Sequence, residues 1–116
     1  MQTPQSDLPV IVQRSYEFST WMIQKVENFP RSFRFTVGDR LTHAVIDLTL
    51  KLVDAAYSRD RARILGEVNV ILNHLRVLLR LAKDLKILPA ESWGFAAEKV
   101  EEIGRMAGGW RKAAAQ

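Results

Sequence analysis

Apolar side chains recur at helical spacing through almost the whole chain, and prolines or short polar breaks divide this pattern into four segments. Side chains three and four positions apart lie on one face of an α-helix, so each segment predicts an amphipathic helix. No segment shows the strict alternation of apolar and polar residues that predicts a half-buried strand. The pattern therefore restricts the chain to an all-α fold.

The segment boundaries follow from local chain chemistry. The first helix is predicted at about Val10–Asn28, because Pro30 pushes the residue before it out of the helical region. The second is predicted at about Val37–Ala56 and the third at about Asp60–Leu85. The fourth follows Pro89, which interrupts the third pattern.

Two helix starts carry recognisable capping residues. Thr36 and Asp39 fit the capping box, in which the threonine hydroxyl accepts from a backbone N–H and the carboxylate accepts from another. Ser58 and Asp60 both precede the third helix, and either is a suitable cap for it.

Four helices joined by short loops predict an antiparallel, up-down-up-down four-helix bundle. We expect the bundle to cover residues 10–112, with a flexible N-terminus at 1–9 and a short tail at 113–116. The third helix carries more apolar residues than one core-facing stripe needs. This predicts a central place in the bundle or contact with a second subunit. The residues that widen its apolar face are Leu65, Leu72, Val77, Leu79 and Leu81.

Composition excludes several kinds of site. The chain has no cysteine, which rules out disulfides, thiolate zinc sites and cysteine nucleophiles. Its glycine cluster near Gly108 lacks the lysine and hydroxyl residue of a phosphate-binding loop. Neither His43 nor His74 stands in an arrangement that indicates a catalytic triad. With no membrane-spanning apolar run and no signal peptide, we expect a cytoplasmic protein. Because these patterns of catalytic and phosphate-binding residues are missing, we also expect a non-enzymatic protein without a cofactor.

One weak metal motif occurs on the second predicted helix. Asp39, His43 and Asp47 are four residues apart and share one helix face, and carboxylate and imidazole can bind the same metal. A solvated face with an exposed or hydrogen-bonded His43 explains the same spacing. The Glu-x-x-His pairs of di-iron bundles are absent, so we expect no metal site.

Basic residues give the stronger functional signal. Residues 59–86 contain seven basic and three acidic side chains, a net charge of +4 that equals the net charge of the chain. Arginine presents a planar fork that binds phosphate in two places, which favours a nucleic-acid partner. The candidate contacts are Arg31, Arg34, Arg40, Arg59, Arg61, Arg63, Asn73, Arg76, Arg80 and Lys83.

The same charges fit a second interpretation, in which they make the outer helix faces soluble. Glu27 with Arg31, and Arg80 with Asp84, have the i, i+4 spacing of local ion pairs. The three tryptophans are predicted to fill the core or a subunit interface, because aromatic residues are scarce among the basic ones.

Three stretches of sequence resemble one family. They are residues 29–41 (FPRSFRFTVGDRL), 78–85 (LLRLAKDL) and 103–110 (IGRMAGGW). Together they are similar to the accessory variability determinant (Avd) proteins of diversity-generating retroelements, over roughly residues 10–112. Pro89 and Trp93 depart from this pattern, which has more polar or tyrosine-like residues there.

The resemblance implies a homopentameric barrel of four-helix protomers that binds nucleic acid and the reverse transcriptase of the retroelement. That enzyme copies a template RNA with errors, and the cDNA replaces a variable repeat in a target gene. The accessory protein supports this mutagenic retrohoming without being the polymerase. Arg31, Arg34, Arg40, Arg76, Arg80 and Lys83 become the candidate contacts for the polymerase and for RNA or DNA.

Two alternatives stay open. Proteins encoded in ribosomal-RNA intervening sequences are similar in fold and pattern and have a structural or RNA-binding role. A small helical ribonuclease of the HEPN type needs an arginine four to six residues before a histidine, and neither histidine has one.

Overall fold

The computed structural model describes residues 8–115, which form five α-helices and no strand. The helices are α1 (Val10–Glu27), α2 (Arg31–Arg34), α3 (Val37–Tyr57), α4 (Arg61–Asp84) and α5 (Ala90–Ala114). The all-α helical bundle is therefore confirmed, and the four long helices lie within one or two residues of the predicted bounds. None of the helices in this part of the chain is both long and apolar enough to cross a membrane.

The four long helices run alternately up and down. Ser15 on α1 lies beside Thr49 on α3, whereas Ser19, one turn later on α1, lies beside Val45, one turn earlier on α3. Two contacts along each of the pairs α3 and α4, α4 and α5, and α1 and α5 show opposite directions in the same way. In cross-section the four long helices follow the order α1, α3, α4, α5. Of the four pairs of neighbouring long helices, α1 and α5 make the least contact.

The core consists of the predicted apolar stripes. Each long helix contributes apolar side chains at threes and fours that are almost fully buried, as this spacing requires. Leu65, Leu72 and Leu79, which widen the apolar face of α4, belong to this core. Leu85, the residue after α4, continues the apolar spacing of this helix but is 40% exposed.

The short helix α2 was not predicted, because residues 31–34 were taken as part of a loop. Pro30 holds a φ of −54° that suits the residue before a helix, and its carbonyl accepts from the N–H groups of Phe33 and Arg34. The predicted capping box at Thr36 is wrong. The Thr36 hydroxyl donates to the carbonyl of Phe33 (3.3 Å), which also accepts from the backbone N–H of Thr36, because the last carbonyls of α2 have no partners further along a helix.

Other boundary predictions have mixed outcomes. Asp60 occupies the N-cap position of α4 but makes no side-chain capping bond, since its carboxylate pairs with Arg63. Helix α5 continues to Ala114, two residues beyond the predicted end of the bundle. The predicted flexible N-terminus lies outside the described residues except for Leu8, which packs against the core, and Pro9.

Helix α4 ends in a Schellman motif. Lys86 adopts the left-handed φ of 61°, its N–H donates to Lys83, and the N–H of Ile87 donates to Ala82. This arrangement turns the chain sharply and buries Ile87 and Leu88 beneath the start of α5. The turn places Trp93 of α5 beside the last turns of α4.

Gly38 allows α1 and α3 to approach closely. A Cβ at this position would lie 2.8 Å from Cγ1 of Val26 and 3.3 Å from the carbonyl oxygen of Phe33. We expect Gly38→Ala to lower the free energy of unfolding by about 1–2 kcal/mol, because overpacking outweighs the gain in helix propensity. Urea unfolding measures the change. Gly108→Ala is the matched control: no atom lies within 4 Å of its Cβ, so stability should rise by up to about 1 kcal/mol. Equal effects of the two variants would contradict the packing explanation.

Candidate nucleic-acid interface

Three of the predicted basic residues lie on the side of α4 that faces α5. Arg76, Arg80 and Lys83, here called the basic stripe, border a cleft of about 280 Å³ between the two helices. The cleft floor is apolar, formed by Leu79, Val100 and neighbouring residues, and Trp93 and Glu101 complete its walls. The predicted spacing of i, i+4 and i+7 therefore brings these three cations to one surface.

The two arginines of the basic stripe have weak partners. Arg76 donates to the amide oxygen of Asn73 (2.8 Å) and lies 3.8 Å from a carboxylate oxygen of Glu101. Arg80 pairs with Asp84 at 3.1 Å, the local pair that the sequence predicted. These side chains are well exposed, and exposed ion pairs contribute only about 0–1 kcal/mol. The guanidinium groups therefore remain available to a stronger anion.

Gly104 on α5 gives Arg76 its position. A Cβ on Gly104 would lie 3.1 Å from Nη2 of Arg76, so the guanidinium rests directly on the backbone of α5. The missing side chain keeps Arg76 beside Glu101 at the edge of the cleft.

The arginines around the first interhelical loop lie at the same end of the bundle but on another side. Arg34 is partly buried, and its Nη2 donates to the carbonyl of Phe29 at 3.4 Å. Its Nε is buried without a hydrogen-bond partner. Arg31 and Arg40 are exposed. Within residues 8–115 the predicted pair of Glu27 with Arg31 does not form, and neither of these two arginines has a carboxylate within 4.0 Å.

The remaining predicted arginines lie at the opposite end of the bundle. Arg61 donates to the carbonyls of Ala55 (2.8 Å) and Ala56 (3.2 Å), and its guanidinium carbon lies 5.0 Å from the centre of the Trp110 ring. It thus closes the C-terminal end of α3, where carbonyl groups lack helical partners. This contact gives Arg61 a structural role and separates it from the basic stripe.

Arg63 is exposed, but neighbouring carboxylates already neutralise its charge. It forms ion pairs with Asp60 and Glu67. The hydrogen bond to Asp60, helped by the negative charges of Asp60 and Glu67, raises the pKa of the Arg63 guanidinium above its ordinary value. Of the three arginines at the start of α4, Arg59 alone is exposed without an ion pair in the described part of the chain.

The weak metal motif lies on an exposed face of α3. The Nδ1 atom of His43 lies 2.7 Å from the backbone carbonyl oxygen of Asp39, which occupies one of its two nitrogens. No cluster of three or more potential metal ligands occurs among residues 8–115.

Comparison with known families decides the family of this bundle. A model of the bAvd-like family matches residues 9–114, which covers all four long helices. The chain belongs to the bAvd-like family. The comparison with curated proteins gave no match.

The family-like stretches occupy connected parts of the bAvd-like bundle. Residues 29–41 form α2 and the start of α3, and they share a shallow recess with Leu78 and Leu81 from the second stretch. The third stretch, residues 103–110, includes Gly104 beneath Arg76 and Trp110 beneath Arg61. The first two stretches therefore build one end of the bundle, whereas the third supports α4 along its length.

Sequence reasoning missed how α4 divides its surface. A second set of α4 side chains is exposed beside the basic stripe, on the side toward α3. These residues, here called the apolar stripe, are Val70, Val77, Leu81 and, just after the helix, Leu85. Val77 is 68% exposed. The excess of apolar residues on this helix was the available signal, but it does not tell which of them face outward.

A second exposed apolar surface, the α1–α3 patch, was also missed. It consists of Tyr16, Ile23, Ile46 and Leu50 around a shallow depression. Tyr16, Ile46 and Leu50 are all exposed. Exposed apolar surfaces of this kind are typical of protein interfaces.

Proposed function

We propose that this protein is the non-enzymatic accessory of a diversity-generating retroelement, which binds the reverse transcriptase together with template RNA or cDNA during mutagenic retrohoming. The observation that carries the proposal is the bAvd-like family match over residues 9–114. The basic stripe on α4 supports it. A reverse-transcriptase gene with paired repeats beside the coding sequence is the expected genomic setting, and an interrupted ribosomal-RNA gene would contradict it.

Nucleic-acid binding is assigned to the basic stripe. The partners of Arg76 and Arg80, which are the carboxylates of Glu101 and Asp84 and the amide of Asn73, are all exposed. A phosphate can replace such a partner, because its contact with arginine has two hydrogen bonds in a fixed geometry and releases counterions from the nucleic acid. In a pentamer the net charge of +4 per chain would reach about +20, enough to attract an anionic polymer over a Debye length.

The double variant Arg76→Gln/Arg80→Gln is expected to bind single-stranded nucleic acid more weakly and with a smaller salt dependence. Each lost phosphate contact lowers the slope of log K against log salt by about 0.7, so the slope should fall by about 1.4 per contacting chain. A titration by fluorescence anisotropy from low to high salt measures this. Arg105→Gln/Lys112→Gln removes the same charge from exposed positions of α5 and is the matched control. Identical slopes for both double variants would exclude the basic stripe as the binding surface.

Reverse-transcriptase binding is assigned to the end of the bundle that carries Arg31, Arg34 and Arg40. The first two family-like stretches meet there, and Arg31 and Arg40 are exposed at that end. Co-expression with the reverse transcriptase of the same retroelement, followed by purification through the polymerase, tests the assignment. We expect Arg31→Glu/Arg40→Glu to abolish co-purification and Arg105→Glu to preserve it. Failure of the unaltered chain to co-purify would contradict the proposed function itself.

Assembly into a homopentamer is part of the proposal. A cyclic assembly needs two different contact faces on each subunit, because heterologous contacts close a ring. The α1–α3 patch and the apolar stripe with Phe35 lie on adjacent sides of the bundle, which share α3. Adjacent sides of a four-helix bundle are roughly 90° apart, close to the angle of roughly 108° between the two neighbours of a subunit in a pentagonal ring. The basic stripe, on the side toward α5, then faces outward.

A further inference from the structure

Trp93 differs from the other two tryptophans in what covers its ring. Trp21 packs between the rings of Phe18 and Phe95, with ring centres 6.2 and 4.8 Å away, and the ammonium group of Lys25 lies 5.5 Å from its ring centre. Trp110 lies beneath Arg61, which two backbone carbonyls hold in place. Trp93 is covered by the ammonium group of Lys83, 4.1 Å from the ring centre, and Lys83 makes no ion pair within the described chain. The cover of Trp93 is therefore a flexible side chain without a second anchor.

We propose that the cleft between α4 and α5 binds one unpaired base of a single-stranded nucleic acid. The base stacks on Trp93, and Arg76, Arg80 and Lys83 contact the adjoining phosphates. This inference rests on the proposed nucleic-acid binding and specifies its chemistry. One base is bound by stacking of its flat face on the ring, so any of the bases can occupy the site.

The present cover of Trp93 is weaker than the proposed occupant. Trp93 is partly buried, and a cation above such a partly exposed ring is worth about a two- to fivefold change in an equilibrium constant. A stacked base gains about five- to 150-fold. Lys83 also keeps a partner when it leaves the ring, because its ammonium reaches the same strand's phosphates. Exchange of Lys83 for a base is therefore favourable when a phosphate is near.

The dimensions of the cleft select a single strand. Its volume of about 280 Å³ lies just below the range of about 300–1,000 Å³ that encloses whole small molecules, which suits one flat ring in an open site. The basic stripe spans seven residues, or about 10 Å of helix. That length allows the cations of the stripe to reach neighbouring phosphates of one strand. Bases within a duplex are paired and stacked, and cannot enter such a cleft.

The aromatic ring in the cleft favours a nucleic-acid strand over an acidic peptide. The basic stripe carries three cations, of which Arg76 pairs with Glu101 and Arg80 with Asp84. An acidic peptide offers these cations an equivalent charge but has no aromatic face for Trp93. Stacking on Trp93 is thus the feature that separates the two occupants.

The test uses the full chain with 12-nucleotide oligouridylate, oligothymidylate and an abasic strand of equal length and charge. We expect both base-bearing strands to quench tryptophan fluorescence and to bind at least fivefold more tightly than the abasic strand. Trp93→Ala should lower their affinity about tenfold and leave the abasic strand and the salt slope unchanged. Phe95→Ala alters an exposed aromatic residue on the α1 side of α5. It should leave the affinity for the base-bearing strands and for the abasic strand unchanged.

Trp93→Phe provides a second variant with less risk to folding. It retains a ring for stacking, so we expect tight binding with the quenching lost, since Trp21 and Trp110 lie outside the cleft. If the unaltered chain binds the strands but binds the abasic strand equally well, or if quenching persists in Trp93→Phe, the stacking site is overturned while nucleic-acid binding stands. Equal quenching by oligoglutamate would overturn it in favour of an acidic peptide. Failure to bind any strand would overturn the proposed function as well.

Discussion

Replacing Val77 and Leu81 with aspartate is expected to reduce the mass of the protein in solution about fivefold, from about 66 kDa (five chains of 13.2 kDa) to one chain. The two side chains are 68% and 42% exposed in the single chain, so aspartate fits there without disturbing the core. In an assembled ring they would be covered by a neighbouring subunit, and burying two unpaired carboxylates costs several kcal/mol at each contact. The ring therefore dissociates while each bundle stays folded.

Light scattering after size-exclusion chromatography measures the mass, and circular dichroism checks that the helices remain. Asn69→Asp/Asn73→Asp is the matched control, because these exposed residues lie on the same helix beside the basic stripe and away from the apolar stripe. We expect the control to keep the mass of the unaltered protein. If the unaltered protein has the mass of one chain, or if the double aspartate variant keeps five, the proposed contact face is wrong.

Phe29→Ala is expected to lower the free energy of unfolding by about 3–5 kcal/mol, as truncation of a buried phenylalanine does elsewhere. Phe29 is 2% exposed, although it lies between α1 and α2 and belongs to no helix. Its N–H donates to Val26, and its carbonyl accepts from Arg34. The backbone of Phe29 is therefore held at both its N–H and its carbonyl, which limits how far this segment can move to close the cavity that alanine leaves. Small domains are stable by about 5–15 kcal/mol, so the loss is a large part of the total.

Urea unfolding of the Val77→Asp/Leu81→Asp variant is the suitable background, since assembly then makes no contribution. Phe35→Ala is the control: the same change six residues later, at a side chain that is 65% exposed. Its effect should stay within about 0.5 kcal/mol. Similar losses for the two variants would show that the loop is stabilised as a whole and that Phe29 is no special anchor.

Most of the fold could be predicted from the sequence because the helices depend on periodic apolar residues. Phe18, Leu48, Leu72 and Ile103 lie in the core as their spacing predicts. The structure around Pro30 could not be predicted this way. Helix α2 has only four residues and no buried ones, so it leaves no periodic pattern. The Thr36 hydroxyl had two possible partners within reach, and only the position of Phe33 decides between them.

The candidate site was predicted in part. The spacing of Arg76, Arg80 and Lys83 fixes them on one face of α4 whatever surrounds the helix. The opposite face of the cleft depends on which helix packs there, so the roles of Trp93 and Glu101 could not be read from the chain. Local spacing also could not show that Arg61 caps α3, because its acceptors lie five and six residues earlier, across a loop.

The alternating directions of the four long helices also determine where the bundle can be tethered. Helix α1 begins and α5 ends at the same end, while the loop with Pro30 lies at the other. A dye or an affinity tag attached at Val10 or Ala114 therefore lies at the opposite end of the bundle from Arg31 and Arg40. When the protein is immobilised through such a tag, the end with Arg31 and Arg40 faces the solution. A partner in solution can then reach it in a surface-based binding measurement.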